Sequence, residues 1–207
     1  MSKGKSVPLG LAQTHGKRLV DVLKPYCEKI MIAGSVRRER QIVHDLEIVA
    51  LVKEVTMKDL FGDQIDVGRT RLDDAIDNLW ESHMLGWKVK KGGARYKTLI
   101  HPHLGLLCDI YVVTDRRAWG SNLAVRTGPR VFSANMMKKA LANGMFFENG
   151  FLLHNHMARY LKGNQSRCEQ GASCEKIIPL YNEADAFEVL KIPYLSPAAR
   201  EERYGIG

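Results

Sequence analysis

The sequence predicts an α+β fold in which helices cover one face of a mixed or antiparallel sheet, followed by a smaller second lobe. Three observations carry this prediction. A helical pattern leads into the first apolar strand, a second helical pattern follows a strongly apolar strand, and a cluster of strand-like segments comes next. One helix, two strands, another helix and several strands are typical of an α+β sheet.

The elements of the first lobe follow from the spacing of apolar residues. Side chains at helical spacing precede apolar residues 31–33, and a second apolar stripe of helical period includes Leu79 and Trp80. Gly92-Gly93 and Pro102-His103 separate the later strands. The predicted elements are a helix at 11–30, strands at 31–33 and 44–52, a helix at 71–85, and strands at 87–91, 96–101 and 104–113.

The character of the chain changes after residue 115, so we expect domains at 1–115 and 116–207. Thr127-Gly128-Pro129 separates two short helical stretches, and Glu148-Asn149-Gly150 between apolar triplets predicts a hairpin. Residues 161–175 have the composition of an exposed loop. The predicted helices lie at 118–126, 132–143 and 183–190.

The charge balance favours a polyanionic partner. The chain of 207 residues has 31 Lys and Arg against 23 Asp and Glu, a formal charge of +8. No run approaches the roughly 18 apolar residues of a membrane helix, and the first residues lack the apolar core of a secretory signal. We therefore expect an intracellular, cytoplasmic protein without a membrane partner, in the host cytoplasm if the protein is viral.

Residues 34–47 contain the highest density of candidate functional residues in the chain. Asp45 and Glu47 are two residues apart at the start of an apolar strand, so they project from one face while their neighbours enter a core. Gly34 and Ser35 predict a tight turn with exposed N–H groups and a hydroxyl, and an arginine at 37 or 38 offers a fork for phosphate. A magnesium-loaded triphosphate suits such a surface.

A third carboxylate, Asp109, lies in the middle of the apolar segment 106–113. A carboxylate there is costly unless it is paired or binds a metal. Three carboxylates can hold the two cations, about 3.5–4 Å apart, of a phosphoryl-transfer site. A solvated strand face for Asp45 and Glu47, and a strand-end Asp bonded to a loop for Asp109, are the structural alternatives.

These motifs resemble the polymerase β nucleotidyltransferase superfamily. Later features narrow the resemblance to family X DNA polymerases, over about residues 11–204. In chain order, the matching segments are Gly34-Ser35 with Arg37-Arg38, Asp45 with Glu47, Arg95-Tyr96-Lys97, Asp109, Thr127-Gly128 with Phe132, and residues 190–197. The resemblance implies a palm domain at 1–115 and a thumb-like domain at 116–207. The chain resembles the reduced palm-and-thumb enzymes of viruses, phages or bacteria.

The resemblance also implies roles for individual residues. Asp45, Glu47 and Asp109 would bind two Mg²⁺ ions, with Mn²⁺ as a substitute, and Asp109 would help deprotonate a primer 3′-hydroxyl. Gly34, Ser35 and Arg38 would hold the triphosphate of the incoming deoxynucleotide (dNTP), while Thr127 and Gly128 would contact its sugar. The basic strip, defined as Lys88, Lys90, Lys91, Arg95 and Lys97, would track DNA phosphates, although a solvated sheet edge is its structural alternative.

Several residues depart from the family pattern. Glu47 stands where an aspartate is usual, and Leu107 stands where an arginine often tunes the third carboxylate. Ser133 replaces an asparagine that reads the new base pair, and Val125-Arg126 replace aromatic residues of the thumb turn. Fidelity and sugar selection are therefore expected to differ from the family norm.

The leading hypothesis is a monomeric DNA-directed DNA polymerase that fills short gaps in repair or replication, with primer-template or gapped DNA as partner. Only 33 residues precede Gly34, so we expect no 5′-deoxyribose phosphate lyase activity. The alternatives are a template-independent nucleotidyltransferase acting on a nucleic-acid end, small molecule or protein, and a non-catalytic nucleic-acid-binding module. A zinc site at His154, His156, Cys168 and Cys174 is a further alternative to free side chains.

Overall fold

The computed structural model describes residues 5–53, 57–58, 64–65, 70–81, 86–154, 158–161, 165–168 and 177–205. The chain divides into two compact units, unit 1 (Met1–Thr114) and unit 2 (Asp115–Gly207). Both contain helices and sheet, which confirms the predicted α+β class. That these units act as a palm and a thumb, with a boundary at 115/116, stays a prediction.

Unit 1 is built on a five-stranded mixed sheet of order β2-β4-β9-β8-β7. The two central strands, β4 and β9, are parallel, and the other neighbours are antiparallel. Short strand pairs β1-β3 and β5-β6 accompany it. The elements are β1 (Val7–Pro8), α1 (Leu9–Leu23), β2 (Cys27–Ile32), α2 (Gly34–Arg37), β3 (Ile42–Val43), β4 (Asp45–Val52), β5 (Met57–Lys58), β6 (Gln64–Ile65), α3 (Arg71–Glu81), β7 (Lys88–Lys91), β8 (Tyr96–His101) and β9 (Leu106–Val113).

The first helix ends earlier than the sequence pattern predicts. Residues 11–30 were expected to be helical, but α1 stops at Leu23 and a 3-10 turn, Lys24–Tyr26, follows. Pro25 has no N–H and cannot continue the α-helical ladder. Residues 27–32 instead pair with β4. Of the helix predicted at 71–85, residues 82–85 and the side chains of Leu79 and Trp80 lie outside the described part.

The sheet buries one face along its length and leaves the other accessible at the end of β4 and β9 that carries the carboxylates. Along β9, Leu106, Cys108 and Ile110 are buried, whereas Leu107, Asp109 and Tyr111 are partly exposed. The buried face packs with α1 and α3 into one core, because helix residues of both contribute to it. Members of that core include Leu19, Leu23, Leu46, Ile48, Leu72, Ile76, Leu99, Leu106 and Ile110.

A reciprocal cap fixes the start of α3 and connects the helix to the sheet. The Thr70 backbone N–H donates to Asp73 Oδ2 at 2.5 Å, and the Asp73 N–H donates to Thr70 Oγ1 at 3.3 Å. Asp73 also forms an ion pair with Lys97 of β8, whose Nζ donates to the Gly93 carbonyl at 3.0 Å. Both charged side chains are buried, so each depends on the other for compensation.

Unit 2 contains four helices and a small three-stranded sheet, β10-β11-β14, among the described residues. The predicted loop at 161–175 is partly wrong, since its residues 165–168 form a strand paired with 158–161. The last helix was not predicted. The elements are α4 (Trp119–Thr127), α5 (Arg130–Ala142), β10 (Met145–Glu148), β11 (Phe151–His154), β12 (Ala158–Leu161), β13 (Gln165–Cys168), β14 (Ile177–Ile178), α6 (Glu183–Leu190) and α7 (Pro197–Tyr204).

A buried cation lies in the centre of unit 2. Arg200 of α7 is 0% exposed, and its guanidinium carbon is 4.9 Å from the ring centres of both Phe132 and Phe187. Its Nη1 is 2.9 Å from Glu183 Oε1, and its Nε donates to the Leu195 carbonyl at 2.9 Å. Cation-π contact, ion pair and the Nε hydrogen bond offset part of the cost of burying this charge, and neither Nη atom has a hydrogen bond of good geometry within the described residues.

Within the described ranges, no helix is long and apolar enough to span a bilayer, and the 15-residue α1 is the longest of them.

The Asp73–Lys97 pair predicts a stability loss with a specific pH dependence. Replacing Asp73 with Ala leaves the Lys97 charge buried without a partner and removes the helix cap. We expect the free energy of unfolding to fall by about 3–5 kcal/mol in urea denaturation at pH 7. Burial opposes ionisation of Asp73, but hydrogen bonds from Lys97 and Thr70 and the Lys97 charge outweigh it, so its pKa is lowered.

Because the folded-state pKa is lowered, this stabilisation exists above the unfolded pKa and disappears as the pH falls through the folded value. The difference between wild type and Asp73→Ala should therefore shrink on acidification. Asp21→Ala, at an exposed position of α1, is the matched control and should change stability by less than about 0.5 kcal/mol. Equal losses in both variants would contradict the assignment.

Candidate active site

The three predicted carboxylates lie on the accessible face of the two central strands. β4 and β9 pair in a register that sets Glu47 opposite Asp109 and Asp45 opposite Leu107. Residues opposite each other or two apart share a face, so all three carboxylates are neighbours there. Each carboxylate is partly exposed, while Leu46 and Ile48 on the opposite face of β4 are buried.

The turn before β4 lies directly against one of these carboxylates. Gly34 starts α2, a single helical turn, with φ of +60°, a conformation that L side chains rarely adopt. A Cβ at residue 34 would overlap Glu47 Oε2. The Ala33 N–H donates to the Glu47 carbonyl at 2.8 Å and fixes the turn to the strand. The glycine is thus required both by backbone conformation and by the close approach of Glu47.

Ser35 and Arg38, the predicted phosphate ligands, lie in the same turn. Ser35 Oγ is inaccessible to solvent and has no hydrogen-bond partner. An orphan hydroxyl is costly in a folded protein and is typical of groups that a ligand satisfies. Arg38 is 8% exposed, and its backbone N–H donates to the Gly34 carbonyl at 3.2 Å. Burial raises the pKa of the Asp45 carboxyl, and the Arg38 charge is close enough to oppose part of that rise.

Electrostatic strain is concentrated at Asp45. Burial raises the pKa of Asp45, the Asp109 charge raises it further, and His44 and Arg38 only partly oppose this. Burial also raises the pKa of the Cys108 thiol well above its usual value, and the charges of all three carboxylates add to the rise. The negative charges of Asp45 and Asp109 therefore repel each other at this face. A cation bound here would relieve that repulsion.

Two hydroxyls that the sequence analysis missed contact the carboxylates. Thr98 of β8 donates to Asp109 Oδ1 at 2.9 Å, and Tyr111 of β9 donates to Glu47 Oε1 at 3.5 Å. Across the described ranges, no three or more His, Cys, Asp or Glu side chains are arranged to hold a metal ion as they stand.

The structure divides the basic strip between two faces. Lys88, Lys90, Lys91 and Arg95 are exposed, and Lys91 Nζ lies 5.6 Å from the ring centre of Tyr96. Lys97, by contrast, is 6% exposed and is bound to Asp73. It pairs with Ile110 in the sheet register, which places it on the helix-covered face. The expectation that Lys97 is a surface residue of the strip was wrong.

Thr127 and Gly128, the predicted sugar-contacting residues, lie in unit 2 at the end of α4. Both are buried, and Gly128 has φ of +64°. Ser133, which departs from the family pattern, donates from Oγ to the Val125 carbonyl at 2.8 Å and thereby joins α5 to α4. Its hydroxyl therefore has a structural partner inside unit 2.

Of the residues considered for zinc, only the His154 side chain belongs to the described part, where it is exposed at the end of β11. His156, Cys174 and the side chain of Cys168 lie outside it.

The Gly34 geometry predicts a stability loss on adding a methyl group. Gly34→Ala must place a Cβ at positive φ and displace Glu47, so we expect the free energy of unfolding to fall by about 2 kcal/mol in urea denaturation. Gly10→Ala is the matched control, because a Cβ there meets nothing within 4 Å in α1. It should be neutral or stabilising by up to about 1 kcal/mol.

The part of this loss due to Glu47 can be separated in a double-mutant cycle. Against a Glu47→Ala background, Gly34→Ala should cost less, since only the backbone strain remains. An unchanged cost in that background would show that Glu47 does not set the requirement for glycine.

Comparison with known proteins places this fold. No protein-family model matches the sequence, and no curated protein sequence matches it. Solved structures do match. Leishmania infantum polymerase beta in a ternary P/T complex has a TM-score of 0.69 and 17% identity, over 95% of this chain and 77% of that one. The same polymerase in a ternary gap complex has a TM-score of 0.72 and 17% identity, over 95% of this chain and 71% of that one.

At this level of identity the comparison concerns the fold alone. The expectation drawn from the sequence resemblance is confirmed at that level. The chain has the α+β fold of these polymerase beta structures.

Proposed function

We propose that the protein is a metal-dependent nucleotidyltransferase that transfers a nucleotide from a dNTP to a primer 3′-hydroxyl. The observation that carries this proposal is the register of β4 and β9, which gathers Asp45, Glu47 and Asp109 on one accessible face beside the Gly34 turn. The fold shared with polymerase beta supports the same reaction class. Membership of family X, a role in gap filling or repair, and a viral or bacterial origin are parts of this proposal.

The donor set fits divalent magnesium. Carboxylate oxygens are the ligands that Mg²⁺ prefers. Burial and the Asp109 charge both raise the pKa of Asp45, and a cation at this face would offset both effects. Asp45, Glu47 and Asp109 would hold two such ions, with Mn²⁺ as a substitute. Bound ions would neutralise the triphosphate and make the primer hydroxyl more acidic.

The protein's own groups would bind and orient the reactants. The orphan Ser35 hydroxyl and the Arg38 guanidinium would bind the terminal phosphates. Asp109 would accept the proton of the primer 3′-hydroxyl while the hydroxyl oxygen forms a bond to the α-phosphorus of the dNTP. The bond from that phosphorus to the bridging oxygen breaks, and pyrophosphate leaves. Thr127 and Gly128 remain candidates for contact with the sugar.

DNA is the acceptor that the charge distribution favours. The chain carries a formal charge of +8, and Lys88, Lys90 and Arg95 are exposed at one edge of the sheet. Such residues contact phosphates without regard to base sequence. The matching polymerase beta structures are complexes described as P/T and gap, which favours primer-template or gapped DNA as the partner here. A monomer is the proposed working form.

Magnesium should stabilise the wild-type protein through Asp45. At ten times its dissociation constant, a ligand adds about 1.4 kcal/mol, which raises the melting temperature by about 4 °C. Asp45→Asn removes one repelling charge, so the metal-free variant should melt above the metal-free wild type and gain less from Mg²⁺. Thermal melts with NaCl at matched ionic strength provide the control. Equal rises with both salts would contradict a specific metal site.

Primer extension tests the reaction itself. We expect the protein to extend a labelled primer at a one-nucleotide gap, with Mg²⁺, by the complementary dNTP when each is supplied singly. Asp109→Asn should lower the rate by about a hundredfold to ten-thousandfold because the proton acceptor is lost. Asp21→Asn, on the exposed side of α1, should keep the wild-type rate.

The outcome of the same assay separates the alternatives. Addition without regard to template would indicate a template-independent nucleotidyltransferase. Retention of full activity by Asp109→Asn would overturn the assignment of the carboxylates. No addition to any primer, together with DNA binding that Mg²⁺ does not change, would indicate a non-catalytic binding module.

A further inference from the structure

We infer that Thr98, and to a lesser degree Tyr111, are positioning residues that set the orientation of the catalytic carboxylates. The inference rests on the proposed function and deepens it, because it names which neighbouring side chains prepare Asp109 and Glu47 for a metal ion. Neither residue would touch the ion or the substrate. Each acts through the carboxylate to which it donates.

Thr98 is placed for this role by the sheet register. β8 runs antiparallel to β9 with Thr98 directly opposite Asp109, so both side chains project from the accessible face. Thr98 is 8% exposed, and its hydroxyl donates to Asp109 Oδ1 at 2.9 Å. The hydrogen bond fixes one oxygen of the carboxylate. Oδ2 is left to a ligand or to a proton.

No charged residue takes this role from the neighbouring position. Leu107, two residues before Asp109 on the same face, is apolar and lies opposite Asp45. Over the described ranges, Thr98 is the side chain that hydrogen-bonds Asp109. A neutral donor holds a carboxylate without neutralising it, so the charge remains available to a cation.

Tyr111 is the corresponding partner of Glu47. Its hydroxyl is 3.5 Å from Glu47 Oε1, and its ring lies 5.3 Å from that of Tyr96, centre to centre. On its other side, Glu47 Oε2 lies over Gly34. Glu47, with its longer side chain, is therefore confined between a tyrosine and a glycine. Because 3.5 Å is long for a hydrogen bond, Tyr111 should contribute less than Thr98.

Mn²⁺ binding measures this positioning without any need for turnover. Titration of the protein with Mn²⁺, with free Mn²⁺ followed by electron paramagnetic resonance, gives the dissociation constant directly. We expect Thr98→Val to weaken binding about tenfold and Tyr111→Phe about threefold, since lost partners of metal ligands have effects of this order. Thr98→Ser keeps the hydroxyl and should restore wild-type binding.

A merely structural role would give a different pattern. Thr98→Val is nearly isosteric, so its melting temperature should stay within about 2 °C of wild type while its metal affinity falls. In primer extension it should need more Mg²⁺ for half-maximal rate, with an unchanged KM for dNTP at saturating Mg²⁺. Matched controls are Thr14→Val and Tyr26→Phe, which remove hydroxyls elsewhere in unit 1 and should bind Mn²⁺ normally.

The experiment also separates this inference from the proposed function. Wild-type affinity in Thr98→Val, with Mn²⁺ still bound by the wild type, would overturn the positioning role and leave the proposed reaction standing. Failure of Thr98→Ser to restore binding would also overturn it, because the hydroxyl would then not be the relevant group. If the wild type itself bound no Mn²⁺, the metal-dependent reaction and the positioning role would both fall.

Discussion

The register in which β4 pairs with β9 determines which side chains meet at the candidate site. Parallel pairing with Glu47 opposite Asp109 places the three carboxylates on one face and the core residues Leu46, Ile48, Cys108 and Ile110 on the other. A shift of one strand by a single residue would move Asp109 into the core and bring the buried Cys108 to the surface. Core packing and site chemistry therefore specify the same register. The apolar face cannot be buried correctly without gathering the carboxylates on the opposite one.

Within that arrangement, polar groups behave differently in the core and at the site. Away from the site, the buried charges of Asp73 and Lys97 compensate each other. At the site, Asp45 is held near another carboxylate, Ser35 Oγ has no partner, and Gly34 adopts a positive φ. Local conflicts of this kind are typical of functional sites. Their concentration around one turn and two strands is independent of any comparison with other proteins.

The sequence predicted four of the five strands of the central sheet, β4, β7, β8 and β9, and the shared face of Asp45 and Glu47, because a period of two is visible within one segment. It assigned most of β2 to the preceding helix. It could not predict contacts that depend on pairing between distant strands, such as Thr98 with Asp109. The sequence misplaced Lys97 because Lys97 and its neighbour Thr98 are both polar and project from opposite faces of β8. Their polarity therefore does not show which face is buried. Helix α7 was missed because Pro-Ala-Ala-Arg-Glu-Glu-Arg-Tyr looks solvent-exposed, although its Arg200 is buried by partners far away in sequence.

Arg200 also affects which helices of unit 2 unfold together. Helix α5 contributes Phe132 to its surroundings, α6 contributes Phe187 and Glu183, and α7 contributes the cation itself. If α7 detached alone, it would remove the cation that pairs with the buried Glu183, which is unfavourable. Helices near the end of a chain commonly fray, with little protection against hydrogen exchange. Here, α7 should exchange its amide hydrogens together with α5 and α6, as part of one cooperative unit.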